Sequence, residues 1–138
     1  MTYQEKVKFL KRYQQIDMEI NQLLLEKSEI FALGTKITPT YSNMPKGTGT
    51  SDKVQSTIEK LEAQENKINQ KVDLLYKVKE DIEKTLYTVK DDTLRVLLRY
   101  RYINGLTWEK IAVNMHYTYQ WVCKLHGEAL RKLRVDSN

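Results

Sequence analysis

The sequence predicts an all-α protein with two parts: a long antiparallel helical hairpin or coiled coil, residues 1–90, and a trihelical helix-turn-helix domain, residues 91–138. Three observations support this fold class. Two long stretches carry apolar residues at alternating steps of four and three, which is the repeat of coiled-coil helices. A stretch containing both prolines separates them. The C-terminal third carries helix-capping residues, each followed by apolar residues at helical spacing.

The first two elements are predicted helices over residues 3–33 and 52–90. The seam of the first consists of Phe9, Tyr13, Ile16, Ile20, Leu23 and Ile30, with Lys27 in one seam position. The seam of the second consists of Val54, Ile58, Leu61, Ile68, Val72, Leu75, Ile82, Leu86 and Val89, interrupted by Glu65 and Lys79. A helix of roughly 60 Å, at ~1.5 Å per residue, cannot bury such a seam alone. The helices therefore pair within one chain as a hairpin, between chains, or both, and the sequence leaves these alternatives open.

The connection between them spans residues 34–51 and contains both prolines and three of the five glycines. Gly34 is a natural helix C-cap and Ser51 a natural N-cap, so they mark its predicted ends. Its composition favours a flexible connector. Connections of this length are often functional, however, and Tyr41, Met44 and Pro45 could pack on the hairpin or contact a partner.

The third predicted helix covers residues 93–103. The pair Asp91-Asp92 could cap it, although no glycine or proline excludes a continuous helix with a kink. Its core face consists of Leu94, Leu97 and Leu98, and Asn104-Gly105 ends it. A trihelical domain over residues 93–134 is small for an independent core, so we expect it to lean on the long helices.

The last two helices form the predicted helix-turn-helix. Thr107 caps the first of them, with Glu109 in its first turn, and a turn follows at His116-Tyr117. Thr118 caps the second. The inward-facing residues are Ile111, Ala112 and Met115 on the first helix and Val122, Leu125, Ala129 and Leu133 on the second. Two short helices of which the second exposes a polar N-terminal end suit an element that enters the major groove of DNA.

The positive charge of the chain is concentrated in the same region. The net charge is +5; residues 93–138 hold eight Lys/Arg and three Asp/Glu, whereas residues 1–92 hold fifteen of each. Local positive charge is what binding to phosphates requires. A single cysteine excludes an intrachain disulfide, and neither a signal peptide nor a membrane span is visible. We therefore expect a cytoplasmic protein.

Residues 97–112, 118–122 and 129–133 resemble region four of bacterial sigma factors, which recognises the upstream promoter hexamer. Nothing in the chain is similar to the sigma region that melts DNA. The combination with a helical N-terminal part, and with a linker over residues 38–47, resembles the RinA/ArpU-like transcriptional regulators of phages of Gram-positive bacteria. The resemblance implies activation of late phage genes from a promoter, in a bacterial host cell and in contact with RNA polymerase.

The candidate DNA-binding residues follow from the helix-turn-helix. Tyr119, Gln120, Cys123 and Lys124 are predicted to point outward at positions that sigma region four uses for base or nearby backbone contacts. Gln120 suits adenine, and Lys124 suits guanine or a phosphate. Candidates for phosphate contact are Arg99, Arg101, Lys110, Arg131, Lys132 and Arg134. Arg131 and Arg134 could instead stabilise the negative end of the last helix. The Trp108 indole could pack in the core or reach a phosphate.

Other functional classes find little support in the sequence. His116, His126 and Cys123 do not supply the usual four ligands of a metal site. No nucleophile–base pair or nucleotide fingerprint is visible, so neither an enzyme nor a cofactor is expected. Two rivals remain: a DNA-packaging recognition subunit of the small-terminase kind, and a coiled-coil scaffold or adaptor. In each case we expect a homo-oligomer formed through the coiled coil.

Overall fold

The computed structural model describes residues 1–36 and 49–136, and it confirms the all-α fold class. Within this part of the chain lie five helices: α1 (Tyr3–Gly34), α2 (Gly49–Leu86), α3 (Asp92–Tyr102), α4 (Trp108–Met115) and α5 (Tyr119–Lys132). None of them is both long enough and apolar enough to cross a membrane. The roles predicted for Tyr41, Met44 and Pro45 fall on residues outside the described ones.

Helices α1 and α2 form an antiparallel hairpin within the chain. Two ion pairs show the direction, because residues further along α1 meet residues further back along α2. Lys71 Nζ lies 2.8 Å from Glu19 Oε2, and Lys27 Nζ lies 3.1 Å from Glu65 Oε1. The hairpin alternative is therefore confirmed, while pairing between chains stays a prediction.

The buried line of α2 differs in part from the predicted seam. Ile68 and Ile82 are buried as expected, but Val54 and Ile58 are exposed. Glu65, predicted as a polar seam position, is also exposed, and the buried polar residue is its neighbour Gln64. The residues of α2 that face α1 are 57, 61, 64 and 68. They keep the steps of four and three, but residues 57 and 64 take the places predicted for Ile58 and Glu65.

Gln64 is satisfied within the hairpin. Its Nε2 donates to the backbone oxygen of Leu23 and to Glu26 Oε2, both at 2.9 Å. A buried amide without partners would destabilise the hairpin, so this pair of hydrogen bonds favours one register of α1 against α2.

The predicted ends of the linker need two corrections. Helix α2 begins at Gly49, so Ser51 lies inside the first turn rather than at the cap. Gly34 is the last residue of α1, where a Cβ atom would collide with the side chain of Thr57. The glycine therefore permits a close approach of the two helices.

The contacts divide the chain into two compact units, Met18–Asp73 and a second unit composed of Met1–Asp17 and Leu74–Asn138. In the second unit the start of α1 packs with the C-terminal helices. Lys6 Nζ donates to the backbone oxygen of Leu130 at 2.7 Å, and Gln14 Nε2 donates to that of Arg101 at 2.6 Å. Both oxygens lie in the last turn of a helix, where carbonyls lack intrahelical donors. The trihelical domain thus leans on a long helix, as expected from its size.

Helix α3 starts anew after a turn. The Asp91 side chain accepts a hydrogen bond from the Leu94 amide at 3.1 Å, which caps the helix and excludes the alternative of a continuous helix. The helix ends at Tyr102, and Gly105 follows with a φ of 69°. Glycine adopts this left-handed conformation without steric cost, which explains why the chain turns here toward α4.

Candidate nucleic-acid interface

Two threonines set the positions of the helix-turn-helix, as predicted. The Thr107 hydroxyl accepts from the Lys110 amide and the Thr118 hydroxyl accepts from the Trp121 amide, each at 3.2 Å. Between the helices, His116 adopts a left-handed conformation with a φ of 60°. This conformation reverses the chain so that α5 begins shortly after α4 ends.

The predicted inner face is confirmed by burial. Its buried members are Ile111, Ala112, Val122, Leu125, Ala129 and Leu133, while Met115 is half-buried. Because these residues bury one side of α5, the opposite side faces the solvent. Tyr119, Gln120, Cys123 and Lys124 are all exposed there. The structure therefore brings these four candidate residues to one accessible surface at the N-terminal end of α5.

Local contacts restrict two of the outward side chains. Lys124 Nζ lies 5.4 Å from the centre of the exposed Trp121 ring, a cation–π distance. A hydrogen bond with Cys123 raises the pKa of the Tyr119 hydroxyl. The surface thus offers hydroxyl, amide and ammonium donors.

Two of the predicted phosphate-binding arginines are engaged within the protein. Arg99 Nη1 lies 3.1 Å from Glu83 Oε1 at the end of α2. Arg101 Nη1 donates to the backbone oxygen of Leu106 at 3.1 Å, and its guanidinium carbon lies 4.2 Å from the centre of the Trp108 ring. The sequence did not indicate these contacts, because each depends on the turn that joins two helices. Lys110 and Arg131, in contrast, are exposed.

Trp108 belongs to an aromatic cluster that supports the helix-turn-helix. Its ring packs edge-on against His126, with 4.6 Å between ring centres. Tyr102 Oη lies 2.7 Å from His126 Nε2, and Tyr3 Oη lies 3.4 Å from Nδ1. Burial raises the pKa of Tyr102, so its hydroxyl stays protonated and shares a hydrogen bond with His126 Nε2.

The same burial affects His126 in the opposite sense. Burial, and secondarily the positive charge of Arg101, lowers the pKa of His126 to about 4. The imidazole is therefore neutral near pH 7, which suits a side chain with only 5 % of its surface exposed. Trp108 and His126 thus have structural roles.

One feature could not be seen in the sequence. A cleft of about 710 Å³ is lined by Thr88, Lys90, Asp91, Arg131, Lys132 and Arg134. Its residues come from the turn between α2 and α3 and from the end of α5, which the fold brings together. As for metals, the described residues contain no group of three or more His, Cys, Asp or Glu side chains that could hold an ion.

Comparisons with known proteins add no relative. No protein-family model, no curated protein and no solved structure matches the chain.

Proposed function

We propose that the protein is a sequence-specific DNA-binding transcriptional regulator that places α5 in the major groove of a promoter. The observation that carries the proposal is the pair of capped helices that leaves Tyr119, Gln120, Cys123 and Lys124 exposed together at the N-terminal end of α5. The net positive charge of residues 93–138 supports it, because phosphate neutralisation supplies much of the affinity for DNA.

In this proposal the outward residues divide by chemistry. Gln120 donates to and accepts from an adenine edge, and Lys124 donates to guanine or to a phosphate. Lys110 and Arg131 are free to contact phosphates, whereas Arg99 and Arg101 mainly hold the domain together. The resemblance to RinA/ArpU-like regulators favours activation of late phage genes through contact with RNA polymerase.

The second candidate function is a coiled-coil scaffold or adaptor, favoured by the apolar surface of the hairpin. Leu24 and Phe31 on α1 and Val54 and Ile58 on α2 are all exposed. Exposed apolar groups at coiled-coil spacing are typical of an oligomerisation surface. We propose a homo-oligomer formed there, which is compatible with a regulator, with a scaffold and with a DNA-packaging subunit.

The test of the proposed function is selection of DNA sequences from a random library by the purified protein at two salt concentrations. We expect one enriched motif that survives the higher salt. Lys124→Ala should then weaken binding to that motif by about 5- to 150-fold, since a good base contact is worth ~1–3 kcal/mol. Lys77→Ala, which removes an exposed lysine from α2, is the matched control and should bind as wild type.

The outcomes separate the candidates. Equal affinities for wild type and Lys124→Ala would contradict this placement of the recognition helix. Binding without a motif, fading as salt rises, would leave only non-specific attraction and favour the scaffold or the packaging subunit.

A further inference from the structure

The outward side of α5 continues beyond its N-terminal turns. Gln120, Lys124, Gly127 and Arg131 follow one another at steps of four, three and four, so they share one line along the helix. This line is about 16 Å long at ~1.5 Å per residue, compared with a major-groove width of about 12 Å. A helix that reads bases at Gln120 can therefore reach the edge of the groove at Arg131.

Gly127 is the unusual member of this line. Glycine in a helix interior lowers helix stability relative to alanine, so it calls for a reason. Apart from the helix's own nearby backbone, a Cβ atom at Gly127 would meet one neighbour within 4 Å among the described residues, Arg131 Nη1 at 3.9 Å, an ordinary contact distance. Packing within the protein does not require glycine here. Because Gly127 has no side chain, a partner can approach the backbone of the helix closely here. The Arg131 guanidinium lies beside this position.

The cleft at the end of this line is strongly cationic. Lys90, Arg131, Lys132 and Arg134 line it, with Asp91 as the one carboxylate. Asp91 is occupied in capping α3. Cations that line one cleft repel one another, and an anion bound there would offset that repulsion.

A hydrogen bond joins the two walls of the cleft. The Arg134 amide donates to Thr88 Oγ1 at 2.9 Å, which fixes the segment after α5 against the turn after α2. Lys132 Nζ lies 3.3 Å from Glu128 Oε1, so this lysine is partly neutralised. Lys90 Nζ donates to the backbone oxygen of Tyr87 at 3.4 Å but has no ion-pair partner among the described residues, and the same holds for Arg131 and Arg134. Lys90, Arg131 and Arg134 therefore keep their charge for a ligand.

We propose that this cleft binds phosphates of the DNA backbone at the edge of the groove that α5 occupies, and that Gly127 leaves space for the sugar–phosphate chain. The proposal rests on the proposed function and adds a second binding site to it. DNA suits the cleft better than an acidic protein does, because Arg131 belongs both to the cleft and to the outward line of α5.

The first test measures the salt dependence of binding to the selected DNA motif for Arg131→Ala, Lys90→Ala and the double variant. We expect each substitution to weaken binding by about 3- to 10-fold at low salt. The slope of log K against log salt should become less steep by about 0.9 for each phosphate that the variant no longer neutralises. Base preference should not change, and Lys77→Ala again serves as the control.

The second test is a series at Gly127. Gly127→Ala should raise the thermal midpoint of unfolding by a few degrees, because alanine favours helix. Gly127→Leu should also remain folded, since the one neighbour within 4 Å of a Cβ atom there, among the described residues and apart from the helix's own backbone, is the flexible end of the Arg131 side chain, yet it should weaken DNA binding at least 10-fold. A loss of affinity without a loss of stability identifies a close approach by DNA rather than a structural role.

The outcomes distinguish this proposal from the proposed function. If Lys124→Ala loses affinity while the cleft variants and Gly127→Leu keep both affinity and slope, the cleft proposal is overturned and the regulator stands. If the cleft variants keep DNA binding but lose activation of a promoter reporter, the cleft serves an acidic protein and the proposal is also overturned. If the wild type shows no salt-sensitive binding to DNA, both fall.

Discussion

His126 connects α5 to two tyrosines from distant parts of the chain. It hydrogen-bonds Tyr102 on α3 and Tyr3 on α1, and Trp108 packs against its ring. Such a buried imidazole stabilises the fold in its neutral form, since protonation would place a charge in a site shielded from water.

The stability of the protein should therefore fall in mild acid. The pKa of His126 is lowered to about 4 in the folded protein, against 6.5 when unfolded, so the unfolded chain binds the proton first as the pH drops. The contribution is fully present above pH 6.5 and decreases toward pH 4, by about 2–3 kcal/mol in the free energy of unfolding. Urea unfolding at pH 7 and at pH 4.5 measures the difference.

The control is His126→Phe, which keeps an aromatic ring but cannot titrate. This variant should be less stable at neutral pH because the Tyr102 hydroxyl loses its hydrogen-bond partner. Its stability should nevertheless change less between the two pH values than that of the wild type. An equal change in both proteins would place the acid sensitivity in other groups.

Among the elements, those defined by local chemistry were predictable from the sequence. Thr107, Thr118 and Asp91 cap the helices that their positions predicted, and the steps of four and three indicated both long helices. Cap residues act on amides two or three positions away, so one sequence window contains the whole interaction. The outward side of α5 was predictable for the same reason, because the predicted inward residues determine which positions of the helix face the solvent.

Contacts between distant elements were not predictable in this way. Periodicity indicates that one face of α2 is apolar, but it leaves open which side of that face meets α1. The repeat therefore predicts Glu65 in the seam, whereas Gln64 is the buried residue. The start of α1 shows the same limit. Its contacts with Leu130 and Arg101 join residues 124 and 87 positions apart, and no local pattern marks them.

The role of α1 as a support for the C-terminal helices can be tested at Gln14. Its Nε2 donates to the backbone oxygen of Arg101, in the last turn of α3. Gln14→Leu keeps the size of the side chain but leaves this half-buried oxygen without its donor. We expect a loss of about 1–2 kcal/mol in the free energy of unfolding. Gln22→Leu, at an exposed position of α1, is the matched control and should change stability little.

Chemical denaturation followed by circular dichroism measures both variants. A stability of Gln14→Leu equal to that of Gln22→Leu would show that the start of α1 does not contribute to the end of α3.

We expect two copies of the protein to associate through their hairpins. Leu24 and Phe31 are seven residues apart on α1, and Val54 and Ile58 are four apart on α2, so each pair lies on one side of its helix. From helical geometry, each of these sides lies next to the residues through which α1 and α2 contact each other. Both sides lie on the same face of the antiparallel pair. A helix of a four-helix bundle shows this wider apolar face, since it packs against two neighbours.

The charge of this region permits self-association. Residues 18–73 carry seven Lys/Arg and eight Asp/Glu, in contrast to the basic remainder of the chain. Two copies of such a region approach without strong repulsion. A two-fold dimer would also present two helix-turn-helix domains, which suits recognition of a palindromic DNA site.

We therefore expect the wild type to be an oligomer in solution and Phe31→Lys or Ile58→Lys to be monomeric, because a buried lysine would lose its hydration without a partner. Leu25→Lys is the control. Leu25 is also exposed, but it lies on the side of α1 opposite to α2, so its substitution should leave the oligomer intact. Light scattering coupled to size-exclusion chromatography, at protein concentrations from about 1 to 100 µM chosen to bracket a dissociation constant of about 10 µM, measures the mass. A monomeric wild type over this whole range would exclude a stable hairpin interface, and equal effects of Leu25→Lys and Ile58→Lys would place the interface on a different face.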